Sequence, residues 1–181
     1  MILRFNMAER INYLIEKDTR MVGDHLYRYW LALQEIGYND MVVDVACGHG
    51  FGSIILAYKA NHVIAIDKLE TSEILLEVKH YKKENLNTAV FYNLEKESPV
   101  LVSFETIEHL ENPQNLIKQF PKFKKVILST PVIPTKHTNS AHLQDFTRDD
   151  VLSWFPADVW NVKWERLQND IYIILCVEKR Q

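Results

Sequence analysis

The chain has 181 residues, of which 47% are hydrophobic and 25% are charged, a composition typical of one globular domain with a full core. The formal net charge is −3, which argues against a dedicated nucleic-acid-binding protein. The sequence shows no apolar run approaching the ~18 residues of a membrane helix and no signal peptide, and its two cysteines lack disulfide or metal spacing, so we expect a cytoplasmic protein.

Residues 1–40 have the pattern of two helices. Ile11, Leu14 and Ile15 have helical spacing, and a second helix is predicted over Asp24–Gln34, ending before Gly37. We expect this segment to form a lid over a ligand site, or only to cover one face of a sheet.

The stretch 41–57 combines strand-forming residues, a turn of small residues and a helical run, in that order. Gly48 and Gly50 allow the backbone to turn sharply and to approach a ligand closely, and the start of the helix offers free N–H groups. A second apolar run ends in Asp67, roughly 20 positions after the turn, where an acidic residue can bind two ribose hydroxyls. The pattern predicts a nucleoside-binding site, and at this point NAD remains an alternative ligand.

From Met41 onwards the chain alternates strands and helices. The predicted strands are 41–46, 62–67, 88–93, 99–104, 125–129, about 158–166 and about 170–178, and the predicted helices are 51–60 and about 71–82, 113–120 and 148–155. This alternation predicts an α/β fold with a doubly wound, mostly parallel, Rossmann-like sheet of seven strands. The polar turn near 168–170 is short, so one of the two last strands should run antiparallel.

The whole chain, 1–181, is predicted to form a single domain, with 1–40 as the helical lid and 41–181 as the core. Only residues 94–98 separate the predicted third and fourth strands, which leaves no room for a helix and predicts an extended crossing.

Five segments, taken in order, resemble the class I S-adenosylmethionine-dependent methyltransferases: VVDVACGHGFGS, VIAID, SFETIEHLENP, KVILSTP and HLQDFT. They resemble most the branch with a Glu-His pair after the fourth strand, and DHLYRYWLA is similar to a helix of members with glycan or sugar-modification functions. The resemblance runs from about Asp24 to Asn169. Ala46 stands where the family has its first glycine, and Asn93 where it usually has an aspartate.

The resemblance implies S-adenosyl-L-methionine as cofactor and assigns contacts to it. Asp44 would hold the ammonium group or a water molecule, Asp67 would accept from both ribose hydroxyls unless it is only an exposed acid, and Arg28 would reach the carboxylate or form a salt bridge. The full set of expected cofactor contacts is Asp44, Ala46, Cys47, Gly48, Gly50, Asp67, Lys68, Asn93, Leu94 and Glu105.

A second group of polar residues follows the fourth and fifth predicted strands, whose carboxyl ends form the site edge of such sheets. Glu108 and His109 lie three and four positions after Glu105, so a helical segment would point all three to one face. His142 comes from the loop after the fifth strand, with His137 as a spare. Two carboxylates and two imidazoles could bind Mg²⁺, Mn²⁺, Co²⁺ or Zn²⁺, and the imidazoles favour ions other than Mg²⁺.

This spacing is similar to that of small-RNA 3′-end 2′-O-methyltransferases and of ubiquinone-pathway O-methyltransferases, and the resemblance implies an ion that gathers two neighbouring acceptor oxygens. Three roles stay open for the catalytic candidates Glu108, His109 and His142: metal ligands, a metal-free general base, or structural braces of the turn.

We expect an O-methyltransferase for a small hydroxylated acceptor, such as a sugar, glycan or phenolic compound. The alternatives are an RNA-end methyltransferase with a lysine-rich face and a non-catalytic cofactor-binding module that serves a partner protein. The oligomeric state stays open.

Overall fold

The computed structural model describes residues 19–75, 77–91 and 99–180. The α-helices in this part of the chain are α1 (Thr19–Glu35), α2 (Phe51–Ala57), α3 (Pro113–Ile117) and α4 (Arg148–Ser153). The strands are β1 (Met41–Val45), β2 (His62–Asp67), β3 (Tyr81–Lys83), β4 (Val100–Phe104), β5 (Lys125–Pro131), β6 (Trp160–Gln168) and β7 (Tyr172–Lys179). Short 3₁₀ turns occur at Thr71–Glu73, Ile107–His109 and Phe120–Lys122.

The described strands form one seven-stranded sheet in the order β3-β2-β1-β4-β5-β7-β6. The pairs from β3 to β5 are parallel, and β7 runs antiparallel to both β5 and β6. The structure therefore confirms the predicted Rossmann-like sheet with one antiparallel strand. Because parallel strands end at the same edge, the turns after β1, β2, β4 and β5 meet there. None of the helices in the described residues is long and apolar enough to cross a membrane.

The central strands are buried on both faces, which explains why β1 and β4 are nearly continuous apolar runs in the sequence. Leu31 of α1 and Leu56 of α2 belong to the hydrophobic cluster on one face of the sheet. Leu116 of α3 and Val151 of α4 belong to the cluster on the other face.

Helix α1 confirms the helix predicted over Asp24–Gln34, whereas the helix predicted around residues 11–15 lies outside the described residues. The ring of Tyr29 lies directly on Gly52, where a Cβ atom would be only 1.8 Å from Tyr29 Cζ. The same ring makes an edge-to-face contact with Phe104 at the end of β4, with ring centroids 5.1 Å apart. Tyr29 thus fixes α1 beside the edge where the strand ends meet.

The segment between β2 and β3 differs from the prediction. The sequence predicts a helix at about 71–82 and a strand at 88–93, but only Thr71–Glu73 forms a helical turn, and the third strand is Tyr81–Lys83. Tyr81 pairs with Ala65 of β2, and its hydroxyl donates to the carbonyls of Asp67 and Leu69 at 2.9 and 2.7 Å. Pairing with the open edge of β2 overrides the local helix propensity.

The prediction that only residues 94–98 connect the third strand to the fourth is consequently wrong. The connection from β3 to β4 runs from residue 84 to residue 99, and residues 92–98 of it lie outside the described part. Leu86, Ala89 and Phe91 from this connection are buried in the core cluster on the side of α3.

Candidate active site

The turn after β1 has an unusual backbone. Ala46, Gly48 and Gly50 all have positive φ values, of 58°, 58° and 93°. A left-handed conformation costs a residue with a side chain roughly 1–2 kcal/mol. Ala46 adopts this conformation nevertheless, at the position where the methyltransferases that the sequence resembles have a glycine. The N–H of Cys47 donates to the carbonyl of Ile66 at 3.1 Å and holds the turn against the end of β2.

Asp67 closes the turn from the end of β2. Its two carboxylate oxygens accept from the backbone N–H groups of Gly48 at 2.9 Å and Leu69 at 3.2 Å. A carboxylate offers about four acceptor positions, which suits a residue that accepts from several donors. Lys68 is exposed beside it, and both side chains line the cleft.

A cleft of about 220 Å³ opens above this turn. It brings together predicted residues from three places: the turn (Ala46, Cys47, Gly48), the end of β2 (Asp67, Lys68) and the end of β4 (Glu105, His109). Burial raises the pKa of the Cys47 thiol, which therefore stays protonated. Gly50 lies behind the turn, where a Cβ atom would be 2.3 Å from Val78 Cγ2.

The far wall of the cleft was missed by the sequence reasoning. Glu84, Asn85, Leu86 and Asn87 line it, directly after β3. The expected contacts Asn93 and Leu94 lie outside the described residues. The error has one source, since placing the third strand too late in the chain also moves its carboxyl end too late. The three residues Tyr81-Lys82-Lys83 show no alternation that could have indicated a strand.

Asp44 is fully buried beneath the turn, and it does not line the cleft. It accepts hydrogen bonds from the hydroxyls of Ser53 at 2.6 Å and Tyr29 at 3.2 Å. Burial raises the pKa of Asp44 to about 7, although both hydrogen bonds oppose that rise. The structure places this carboxyl group as a link between α1, β1 and α2.

Glu108 is the most unusual side chain of the second group. It lies in the 3₁₀ turn after β4 and is 0% exposed. Its Oε2 atom accepts from the Thr130 hydroxyl at 3.0 Å. Its Oε1 atom is buried and has no hydrogen-bond partner among the described residues. Burial and the charge of Glu105 raise the pKa of Glu108 well above its usual range. An unsatisfied buried oxygen costs about 1–3 kcal/mol, so it calls for an explanation.

His109 and His142 stand beside this oxygen. His109 Nε2 is 3.8 Å from Glu108 Oε1, and the two imidazole rings meet edge to face with centroids 4.7 Å apart. Ligand atoms of all three side chains lie within 4.8 Å of one another. We call Glu108, His109 and His142 the acceptor cluster.

The second ring nitrogens orient the two histidines. His109 Nδ1 lies 3.1 Å from the carbonyl oxygen of Ala141, which can only accept, so the proton of the neutral ring sits on Nδ1 and Nε2 carries the lone pair. His142 Nδ1 forms a 2.7 Å hydrogen bond with the Thr135 hydroxyl. Such outer contacts are typical of metal-binding histidines.

The donor set fits a divalent ion. One carboxylate and two imidazoles suit Mn²⁺, Fe²⁺, Co²⁺ or Zn²⁺ better than Mg²⁺, and an ion would satisfy Glu108 Oε1. The spare residue His137 is exposed and is not in the cluster.

Glu105, the fourth expected ligand, is not one of the three residues of the acceptor cluster. Its backbone has a φ of 48°, its Oε1 atom accepts from the Ser129 hydroxyl at 2.7 Å, and Arg28 Nη1 lies 3.7 Å from the same oxygen. Burial raises the pKa of Glu105, and the positive charge of Arg28 opposes that rise. Arg28, which the sequence left between a cofactor contact and a surface salt bridge, is 2% exposed and bonded inside the protein.

No protein-family model matches the chain. The ubiquinone biosynthesis O-methyltransferase of Rickettsia bellii is 27% identical over 180 residues, which cover 92% of this chain and 67% of that enzyme. A probable S-adenosylmethionine-dependent methyltransferase of Mycobacterium tuberculosis is 24% identical over 145 residues, which cover 69% of this chain and 53% of the relative. The chain thus spans about two thirds and about half of these two relatives.

A solved structure with the same fold is the N-methyltransferase NodS of Bradyrhizobium japonicum in complex with S-adenosyl-L-homocysteine. The TM-score is 0.71, the identity is 10%, and the match covers 93% of this chain and 92% of NodS. At this identity the likeness concerns the fold. The fold, the glycine turn with Asp67 and the sequence relatives agree in supporting a class I S-adenosylmethionine-dependent methyltransferase.

Proposed function

We propose that this methyltransferase transfers a methyl group to oxygen on a small acceptor with two neighbouring oxygens, with the help of a divalent ion. The observation that carries the proposal is the acceptor cluster at the rim of the cofactor cleft, where Glu108 Oε1 is buried and has no hydrogen-bond partner in the part of the chain that the structure describes. His109 belongs both to the cluster and to the lining of the cleft, so an acceptor bound there would lie next to the cofactor.

The Rickettsia relative supports the choice of oxygen as the methylated atom, because its name describes an O-methyltransferase. We infer that the acceptor here is a phenolic or sugar-like compound with adjacent hydroxyl groups. A pair of adjacent hydroxyls can bind one ion through two oxygens, which fixes the reacting oxygen better than a single contact would.

On the cofactor side, Asp67 would accept from the ribose hydroxyls and the turn around Gly48 would carry the methionine part. When bound, S-adenosylmethionine supplies the methyl group. Asn85 and Leu86 are proposed to contact the adenine, the role that Asn93 and Leu94 were expected to have. Asp44 supports the turn from below through Ser53 and Tyr29.

On the acceptor side, Glu108, His109 and His142 would hold the ion. When bound, the ion lowers the pKa of an acceptor hydroxyl and so supplies a better nucleophile near neutral pH. Ala141 and Thr135 keep the two imidazoles oriented through their Nδ1 atoms. In the metal-free alternative, His109 Nε2 would take the hydroxyl proton itself, since its lone pair faces the cluster.

The lysines support a small acceptor rather than RNA. Lys124 and Lys125 lie at the beginning of β5, the opposite edge of the sheet from the cleft, and they pair with Asp40 and Glu35. Lys83 pairs with Glu70, and Lys122 donates to the carbonyl of Phe91. Charges that are already paired contribute little to binding phosphates.

We also propose that residues 1–181 form one domain and that its first 40 residues act as a lid. In the described part of this segment, His25 and Tyr29 of α1 line the cleft, which supports the lid role. Cys47 and Cys176 are buried free thiols, which supports a reducing, cytoplasmic location.

The experiment has two steps. Titration calorimetry with S-adenosyl-L-homocysteine tests the cofactor site, and the absence of binding at millimolar ligand would contradict it. Methyl transfer from labelled S-adenosylmethionine is then measured with 3,4-dihydroxybenzoate and with 4-hydroxybenzoate, each with chelator or with added Mn²⁺, Co²⁺ or Zn²⁺. We expect turnover of the dihydroxy compound that needs the ion; equal turnover of both compounds in chelator would support the metal-free base.

A further inference from the structure

We propose that His25 binds the carboxylate of S-adenosylmethionine through a ring N–H, and that Arg28 orients and polarises this N–H from behind. The inference rests on the cofactor site described above and adds a residue to it. It also gives Arg28 an indirect role, in place of the direct contact that the sequence suggested for it.

His25 lies in the wall of the cofactor cleft, and Arg28 lies behind that wall. Both residues are on α1, where His25 and Tyr29, about one helical turn apart, line the cleft. Arg28 is buried and is not among the lining residues. Its Nε atom donates to Gln168 Oε1 at 2.7 Å, and its guanidinium lies 4.8 Å from the ring centre of Tyr172. The guanidinium is therefore held inside the protein and does not face a ligand in the cleft.

The contact between the two side chains fixes the tautomer of His25. Arg28 Nη1 lies 3.3 Å from His25 Nε2, and a guanidinium can only donate, so Nε2 accepts. Burial, followed by the charge of Arg28, lowers the pKa of His25 to about 3, which keeps the ring neutral. A neutral ring carries one proton, so this proton sits on Nδ1. His25 thus offers one N–H donor, and the cation bonded to the opposite nitrogen polarises it.

The methionine end of the cofactor is the part that such a donor suits. Tyr29, on the same face of α1 as His25, packs on Gly52 and donates to Asp44 beneath the glycine turn. We placed the methionine end over this turn, so its ammonium and carboxylate groups would come near the same wall. Glu105 also lines the cleft and suits the ammonium group, which leaves the carboxylate to His25.

The other basic side chains that line the cleft are less well placed for this role. Lys68 directly follows β2, on the side proposed for the ribose, and His109 belongs to the acceptor cluster. His49 Nδ1 lies 2.7 Å from the carbonyl oxygen of Glu73, so in the neutral ring Nε2 is an acceptor and not a donor. Of the described residues that line the cleft, His25 therefore fits the carboxylate best.

The test compares S-adenosyl-L-homocysteine with its decarboxylated form by titration calorimetry on the full chain, without any turnover. Wild type should prefer the first ligand by about tenfold to a hundredfold, the contribution of a hydrogen bond to a charged group. His25→Phe should lose this preference, while its affinity for the decarboxylated ligand stays within about threefold of wild type. The control His137→Phe, at an exposed position outside the cleft, should behave as wild type does.

Further variants separate the donor from the packing of the ring. His25→Asn keeps an N–H near the position of Nδ1 and should keep part of the preference, whereas His25→Gln places its N–H near the position of Nε2 and should lose it. Arg28→Met should also weaken the preference. Because Arg28 acts through His25, the double variant Arg28→Met/His25→Phe should show the same preference as His25→Phe alone. Should Arg28→Met not fold, the three His25 variants decide alone.

The outcomes that overturn the inference differ from those that overturn the cofactor site. Equal losses for both ligands in His25→Phe would show that His25 only supports α1. A preference that is absent in wild type, or that persists in His25→Phe, would show that His25 does not bind the carboxylate. In each of these cases the cofactor site stands. If wild type binds neither ligand, the cofactor site itself fails, and this inference fails with it.

Discussion

The two sides of the cleft are built differently. The cofactor side is held by backbone bonds between the β1 turn and the end of β2, such as Gly48 N–H to Asp67 and Cys47 N–H to Ile66. The acceptor side is assembled from side chains of the β4 turn and the loop after β5, and no hydrogen-bond partner for the buried Glu108 Oε1 lies among residues 19–75, 77–91 and 99–180. One side is a stable binding surface, and the other side carries an energetic cost that a bound ion would relieve.

The largest effect is expected from Glu108→Gln, which should break the acceptor side alone. Turnover should fall roughly a thousandfold, because an anionic ligand is lost from the group that activates the acceptor. Affinity for S-adenosyl-L-homocysteine, measured by calorimetry, should stay within about threefold of wild type, because this ligand binds on the cofactor side of the cleft. The matched control is the exposed Glu111→Gln, and equal activity of both variants would show that the cluster is not catalytic.

Gly52→Ala in α2 should disturb the packing of α1 against α2, beside the cofactor side of the cleft. The added Cβ would lie 1.8 Å from Tyr29 Cζ, so the ring must move. We expect a loss of about 1–3 kcal/mol in the free energy of unfolding, measured with denaturant. The control is Gly23→Ala in α1, where no atom lies within 4 Å of the new Cβ, and it should be neutral or stabilising by up to about 1 kcal/mol. Similar losses in both variants would contradict the contact.

Asp67→Asn should weaken the cofactor side alone. A hydrogen bond to a charged group contributes about 1.5–3 kcal/mol, so S-adenosyl-L-homocysteine affinity should drop about tenfold to a hundredfold. Co²⁺ binding should not change. Glu77→Gln, an exposed acid outside the cleft, is the control, and an unchanged cofactor affinity in Asp67→Asn would remove Asp67 from the site.

The last expected effect is a change in pH dependence from Asp44→Asn. Burial raises the pKa of Asp44 from 3.8 to about 7, so between these values the folded protein keeps a proton that the unfolded chain has lost. The free energy of unfolding of wild type should therefore fall as pH rises from about 4 to 7, by at most about 1.4 kcal/mol per pH unit for this group. Asp44→Asn should show a flatter slope in that window; identical slopes would mean that Asp44 does not hold the proton.

The difference between the cofactor side and the acceptor side also explains which features the sequence could predict. The glycine turn, Asp67 and the sheet topology depend on local patterns and strand order, which alternation and turn residues encode directly. The third strand was misplaced because the stretch 74–83 contains strand-forming and helix-forming residues, and only pairing with β2 decides between them.

The acceptor side was predictable only in part. Helical spacing placed Glu105, Glu108 and His109 on one face, but residues 107–109 form a 3₁₀ turn and Glu105 turns away at positive φ. Glu105 instead accepts from the Ser129 hydroxyl and lies 3.7 Å from Arg28, and both partners are distant from it in the sequence. Local spacing cannot report such a long-range ion pair.

The most direct test of the central claim is methyl transfer to 3,4-dihydroxybenzoate by wild-type protein that has been freed of metal. We expect that S-adenosyl-L-homocysteine binding survives chelation, that turnover is lost, and that added Co²⁺ or Mn²⁺ restores turnover in wild type but not in Glu108→Gln. Full turnover in chelator, with no response to either ion, would contradict it.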